Sequence, residues 1–168
     1  RMCIRGCCVL LIAFAGCRGA ADQDIDSLIT AGIVVQRNAT GEVFLVDTSG
    51  RSLDEHFWKT LSSFDQLEQL SLTGSPVTDT DLARVVSLRT LQSLDLSYTR
   101  VTHSGLHILS RMEDLRTLSL NGVRLNHAAV ESLSPLTRLR SLSLIDTGLN
   151  ATDGAALQKS LTGCLVVL

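Results

Sequence analysis

One segment of this chain returns four times, and that return constrains everything else. Leu67, Leu91, Leu115 and Leu139 each open a Leu-x-x-Leu-x-Leu block, and each stands 24 residues after the one before. The blocks read LEQLSLTGSPVTDTDL, LQSLDLSYTRVTHSGL, LRTLSLNGVRLNHAAV and LRSLSLIDTGLNATDG, with no gap in the register. A period in the twenties means one supersecondary unit per copy. Such a unit cannot bury its apolar side alone, so successive units stack and share a continuous core.

Each unit has two halves. Leu70 and Leu72 alternate with Ser71, and the same alternation returns at Leu94/Leu96, Leu118/Leu120 and Leu142/Leu144. That is the periodicity of a strand. Gly74-Ser75-Pro76 and Asn121-Gly122 then mark turns. One apolar residue follows (Val77, Val101, Leu125 or Leu149), then a polar helix start. Thr78 with Asp81 three residues later has the form of a capping box. The helical halves place Leu82, Val85 and Leu88 inward, then Leu106, Leu109 and Met112, then Val130, Leu133 and Leu136. The expected fold is α/β: a short right-handed solenoid with a parallel sheet on its concave side and helices on its convex side.

Apolar residues make up 45% of the chain but aromatic residues only 4%, so this core must be aliphatic. At 168 residues a single domain is expected. A net charge of −2 without a basic run argues against a partner made of nucleic acid or an anionic membrane surface. Among catalytic motifs, G-x-S-x-G, G-x-x-x-x-G-K-[ST], H-E-x-x-H and C-x-x-C are all absent, so no enzyme activity and no cofactor are expected.

Residues 1–17 read as an export segment. Arg1 and Arg5 precede an apolar stretch from Cys7 to Ala15 that is too short for an ordinary spanning helix. The stretch closes on Ala15-Gly16-Cys17, which is similar to a bacterial lipobox with Phe14 in the usual leucine position. That resemblance implies lipidation at Cys17. The alternatives are an ordinary cleaved signal peptide and an uncleaved anchor. Lipidation would leave Cys164 without a disulfide partner, as a buried apolar thiol. Residues 18–45 form a linker and an N-terminal cap: a helix from Asp24 to Ala31, then a hairpin turning at Asn38-Ala39-Thr40-Gly41. Asn38-Ala39-Thr40 is formally a glycosylation sequon and is read here as a turn. The repeat array occupies 46–168. Its first copy, 46–66, is degenerate, with Val46, Trp58, Leu61 and Phe64 in core positions. Its last strand is 164–168.

The pattern L-x-x-L-x-L-x-x-T-x-V-T-D-x-x-L resembles the leucine-rich-repeat proteins of planctomycete-type bacteria, over about residues 20–168. Thr99-Arg100-Val101-Thr102 and Thr78-Asp79 carry it best. Arg51, Ser75 and Val123 depart from it at the turn, and His103 and His127 depart from it at the Asp position. The resemblance implies a binding or scaffold role.

Three groups of residues are candidates for chemistry. On the concave face and its turns, Ser93, Asp95, Ser97, Tyr98, Arg100, Thr117, Ser119 and Asn121 are expected to point outward and bind a protein partner. Asp79, His103 and His127 share a column with Glu55, and His107 lies four residues beyond His103; this column is a candidate metal site, set against a plainly solvated helix start. Arg116, Arg138 and Arg140 gather at one edge near Glu113 and Asp114, as a partly paired rim or as a site for an acidic partner. The leading expectation is a monomeric, non-catalytic recognition module of the cell envelope, lipid-anchored in the periplasm or outer membrane, or else secreted. The alternatives are a structural envelope component that self-associates through Val166-Val167-Leu168, and a weak metal-binding domain using the His column.

Overall fold

The computed structural model describes residues 20–168, so the expected export segment and the lipidation at Cys17 lie outside the described residues. Helix α1 (Ala20–Thr30) opens the described chain. It begins earlier than the helix expected from Asp24. Ala20 and Ala21 are strong helix formers, and Asp22 lies in the first turn, where the helix dipole favours an acid. Asp24 and Asp26 therefore sit further along the helix than the sequence reading placed them.

Strands β1 (Val34–Arg37) and β2 (Val43–Asp47) form the hairpin. Asn38 organises its turn: the side-chain oxygen accepts the backbone N–H of Thr40 at 3.1 Å and of Glu42 at 2.9 Å. Both β1 and β2 belong to a seven-stranded sheet in the order β1-β2-β3-β4-β5-β6-β7. Strand β1 is antiparallel to β2; from β2 onward every pair is parallel. The later strands are β3 (Gln69–Ser71), β4 (Ser93–Asp95), β5 (Thr117–Ser119), β6 (Ser141–Ser143) and β7 (Leu165–Val167). Val46 pairs with Leu70, Leu70 with Leu94, Leu94 with Leu118, Leu118 with Leu142 and Leu142 with Val166. The degenerate first copy is thus a true coil of the stack.

Helices α2 (Glu55–Leu61), α3 (Asp79–Val85), α4 (His103–Leu106, continued by a 3-10 turn over His107–Arg111), α5 (Ala128–Leu133) and α6 (Ala151–Ser160) return the chain to the sheet. The core between the two layers is aliphatic: Leu72, Leu82, Leu96, Leu106, Leu109, Leu118, Leu120, Leu133 and Leu142 have no exposed surface. Its aromatic end is the first coil, where Phe57 and Trp58 meet edge to face at 5.1 Å between centroids. Thr48 takes the inward position that leucines hold in later coils. It is fully buried, and its hydroxyl lies 2.8 Å from that of Ser75, so neither polar group is stranded. Cys164 is a buried free thiol, and loss of solvent pushes its pKa up.

Candidate recognition surface

The parallel register lines up the outward side chains of the sheet in columns. Gln69, Ser93, Thr117, Ser141 and Leu165 form one; Ser71, Asp95, Ser119, Ser143 and Val167 form the next. Ser93, Asp95, Thr117 and Ser119 are half-buried, as expected of a sheet face. Beyond the strands the expectation fails for Ser97, which is only 3% exposed. The strand has already ended at Asp95, whose carboxylate accepts the Ser97 N–H at 2.8 Å and turns the chain inward. The Ser97 hydroxyl then accepts the N–H of Asn121 at 3.2 Å. Asn121 is likewise committed to the fold: its side-chain oxygen accepts the Ser143 hydroxyl at 2.7 Å and the Ile145 N–H at 2.9 Å. Ser97, and in part Asp95 and Asn121, therefore build the turn instead of offering themselves to a partner.

The next position along each coil is left-handed. Gly50, Gly74 and Gly122 hold it with φ of 76°, 67° and 69°, whereas Tyr98 holds it at 57° and Asp146 at 59°. Backbone bonds fix this turn from coil to coil. Gly50 N–H donates to Thr73 at 2.7 Å, Gly74 to Ser97 at 2.9 Å, Tyr98 to Asn121 at 2.7 Å and Gly122 to Ile145 at 2.8 Å. A tyrosine pays a steric cost there that glycine avoids. Its ring lies across Gly122 of the next coil: a Cβ on Gly122 would stand 2.4 Å from the ring carbon Cδ1. Tyr98 is nevertheless 62% exposed, and its hydroxyl makes no hydrogen bond within the described chain. Tyr98 and Arg100 are the most accessible of the expected binding residues.

The charged edges are unevenly paired. Arg138 bonds Asp114, Arg84 bonds Glu55 at 2.8 Å, and Arg37 bonds Asp22. Arg100, Arg124, Arg116 and Arg140 are exposed and have no such partner among the described residues.

The column that was a candidate for metal is dispersed. Asp79 turns both oxygens onto the next coil, accepting the Thr102 N–H at 2.8 Å and the Thr102 hydroxyl at 2.7 Å. Its carboxylate fits there because residue 105 is glycine; a Cβ would lie 2.3 Å from the Asp79 Oδ1. His107 bonds the Ser104 carbonyl, and His127 bonds Asp153 in the following coil. Among the described residues no three His, Cys, Asp or Glu side chains come together. The His127–Asp153 bond raises the His127 pKa above its ordinary 6.5, chiefly through the hydrogen bond and then through the charge of Asp153. The same bond, together with the N–H of Asn150, lowers that of Asp153 below 3.8. A Ser–His contact that no motif announced does occur, between Ser27 of α1 and His56 of α2 at 2.8 Å. The Asp24 carboxylate lies 4.0 Å from the same imidazole nitrogen, Nε2, and so cannot orient the ring from its far side as a catalytic triad requires. The contact fastens the cap to the first coil.

No family model matches the chain, and no curated protein does. Solved structures share its fold. The actin-binding site 2 domain of leiomodin-1 superposes with a TM-score of 0.58 at 14% identity, over 88% of this chain and 90% of that one. The LRR ectodomain of the Arabidopsis receptor kinase HAESA, in complex with an extended IDA peptide hormone, superposes at 0.53 with 19% identity, over 89% of this chain and 33% of that one. The fold is a leucine-rich-repeat solenoid. An LRR protein of Leptospira interrogans is also similar, at 18% identity and a TM-score of 0.48 over 65% of this chain. The chain spans about a third of the HAESA ectodomain. In this leucine-rich-repeat array the apolar residues Ile145, Leu165 and Val167 are 43%, 64% and 38% exposed at the C-terminal end of the face. Val167 belongs to the edge considered for self-association, whereas Leu165 is not among the expected site residues. Carrying the Ser141 column one period further would have found Leu165.

Proposed function

We propose that this chain is a non-catalytic recognition module of the cell envelope, carried there by its N-terminal segment, that binds a protein partner through the sheet face and the turns beside it. The observation that carries the reading is Tyr98. An exposed aromatic ring held in a left-handed backbone, at a position where glycine serves other coils, contributes little to the stack and presents a rigid anchor. Two solved structures of similar fold support the reading by what they are: an actin-binding site of leiomodin-1 and a receptor ectodomain bound to a peptide hormone. The sheet alone is small. The five short parallel strands β3–β7, about 4.8 Å apart and 10–15 Å long, make a footprint of roughly 200–300 Å², well below the ~800 Å² per partner of a standard interface. Tight binding must therefore use Tyr98, Arg100 and Arg124 on the turns, and a single copy should bind at about micromolar strength, raised when copies cluster on a membrane.

The test is capture from the native envelope fraction, quantified by mass spectrometry, with wild type and two variants. Ser93→Arg with Ser119→Arg alters the sheet face, and Ser132→Arg alters the helix side. The partners should survive Ser132→Arg and disappear with the sheet-face pair; the reverse pattern would refute the sheet face as the site. The free chain should stay monomeric on concentration. Growth in size would instead favour a self-associating structural component.

A further inference from the structure

We propose that the sheet face over β4–β6 recognises an acidic, extended protein segment, held between two pairs of arginines with an apolar side chain on the Tyr98 ring. This deepens the recognition reading and rests on it. Arg116 and Arg140 stand immediately before β5 and β6, and the Arg140 N–H bonds the Arg116 carbonyl at 2.7 Å, so the two lie in adjacent coils at one edge of the face. Arg100 and Arg124 stand at equivalent places after β4 and β5, at the other edge. All four are exposed and none is paired within the described chain.

Little negative charge answers them. Asp95 is engaged with the Ser97 N–H, Asp114 is paired with Arg138, and Asp47 and Glu68 lie two strands away from Asp95 and Arg116; Glu113 and Asp146 are the exposed carboxylates left beside the four arginines. A chain of net charge −2 thus carries a locally positive frame around a hydroxyl-lined floor. About five extended residues cover the distance between the two edges, at roughly 3.3 Å each. Carboxylates at both ends of such a segment would meet guanidinium pairs, which bind them with two parallel N–H donors. The Tyr98 ring at the Arg100 edge supplies the apolar contact. A long nucleic-acid strand fits less well, because Tyr98 alone among the residues of this face offers a ring for stacking.

The experiment uses the full chain and three labelled synthetic peptides followed by fluorescence anisotropy: glutamate alternating with leucine around one phenylalanine, the same peptide with lysine for glutamate, and the same with glutamine. The glutamate peptide should bind at least about tenfold tighter than the other two, and high salt should erase the difference. Tyr98→Ala, and Arg100→Ser with Arg124→Ser, should each weaken it about tenfold or more. Arg111→Ser on the helix side should leave it unchanged. Equal binding of the glutamine or lysine peptide, still lost in Tyr98→Ala, would overturn the acidic preference while leaving the sheet face as the recognition surface. Glutamate-peptide binding insensitive to all three sheet-side substitutions would overturn both. Equal binding of a single-stranded oligonucleotide would overturn the assignment to a protein segment, and no binding by a chain with native circular dichroism would overturn the proposal itself.

Discussion

Tyr98 and Gly122 act as a pair, each shaping what the other can be. The tyrosine adopts φ of 57°, a conformation that costs roughly 1 kcal/mol outside glycine, and its ring occupies the space a Cβ on Gly122 would need. Two outcomes follow. Tyr98→Gly should leave the melting temperature within a few degrees of wild type or raise it, because strain is relieved while an exposed ring is lost; partner binding should nevertheless fall about tenfold. Gly122→Ala should destabilise by about 1–3 kcal/mol through both backbone strain and the ring. In the Tyr98→Gly background that penalty should shrink to the backbone part, read as a smaller drop in melting temperature. An unchanged penalty would mean that the ring does not rest on Gly122. At this scale the sequence was legible where a side chain follows the two-residue alternation, as at Ser93, Asp95, Thr117 and Ser119. It misplaced Ser97 because alternation stops where the Asp95 carboxylate takes over the chain.

Between helices the coils are latched by side chains that reach forward one repeat. Asp79 holds the start of α4 through Thr102, and Gly105 leaves it room. Asp79→Ala should cost about 1–2 kcal/mol. Gly105→Ala alone should also destabilise despite the higher helix propensity of alanine, because the new methyl meets the carboxylate. The double variant should recover at least part of that loss, and a thermal double-mutant cycle that sums to zero coupling would contradict the latch. The His127–Asp153 bond joins α5 to α6 in the same manner. His127 has a raised pKa, so its contribution is complete below its ordinary 6.5 and disappears as pH rises through the raised value. Asp153 has a lowered pKa, so its contribution is present above its ordinary 3.8 and fades as pH falls through the lowered value. The stabilisation by His127 over His127→Gln should therefore be greatest between about pH 4 and 6.5 and should decline in alkali. A difference in melting temperature that stays constant from pH 5 to pH 9 would contradict the bond. None of these latches was legible beforehand. They join residues 23 to 26 positions apart through side chains, and the histidines at positions 103 and 127 suggested a shared column more readily than a forward bond from His127 alone.

As a whole, the molecule is one continuous aliphatic layer, so damage at one coil spreads to its neighbours. Leu118→Asp or Leu120→Asp places a carboxylate where no surface is exposed. The penalty of several kcal/mol rivals the 5–15 kcal/mol that holds a domain together. Most of the helical signal should vanish from circular dichroism, and a native spectrum with an unchanged melting point would deny the stack. The architecture was readable from end to end because leucine spacing reports the core directly; even Val46 entered at its true register. The surface was less readable, because what distinguishes it lies in residues that break the repeat. The hydrogen bonds that carry the turns from coil to coil are mostly between main-chain groups, with the side chains of Ser97 and Asn121 joining in. Outward residues that take no part in those bonds, such as Ser93 and Thr117, can therefore change without disturbing what joins one coil to the next. Selection can rewrite such a surface a line at a time, and gain or loss of one whole 24-residue unit leaves the frame of the stack in phase. The same scaffold can thus drift from one partner to another through intermediates that all remain folded.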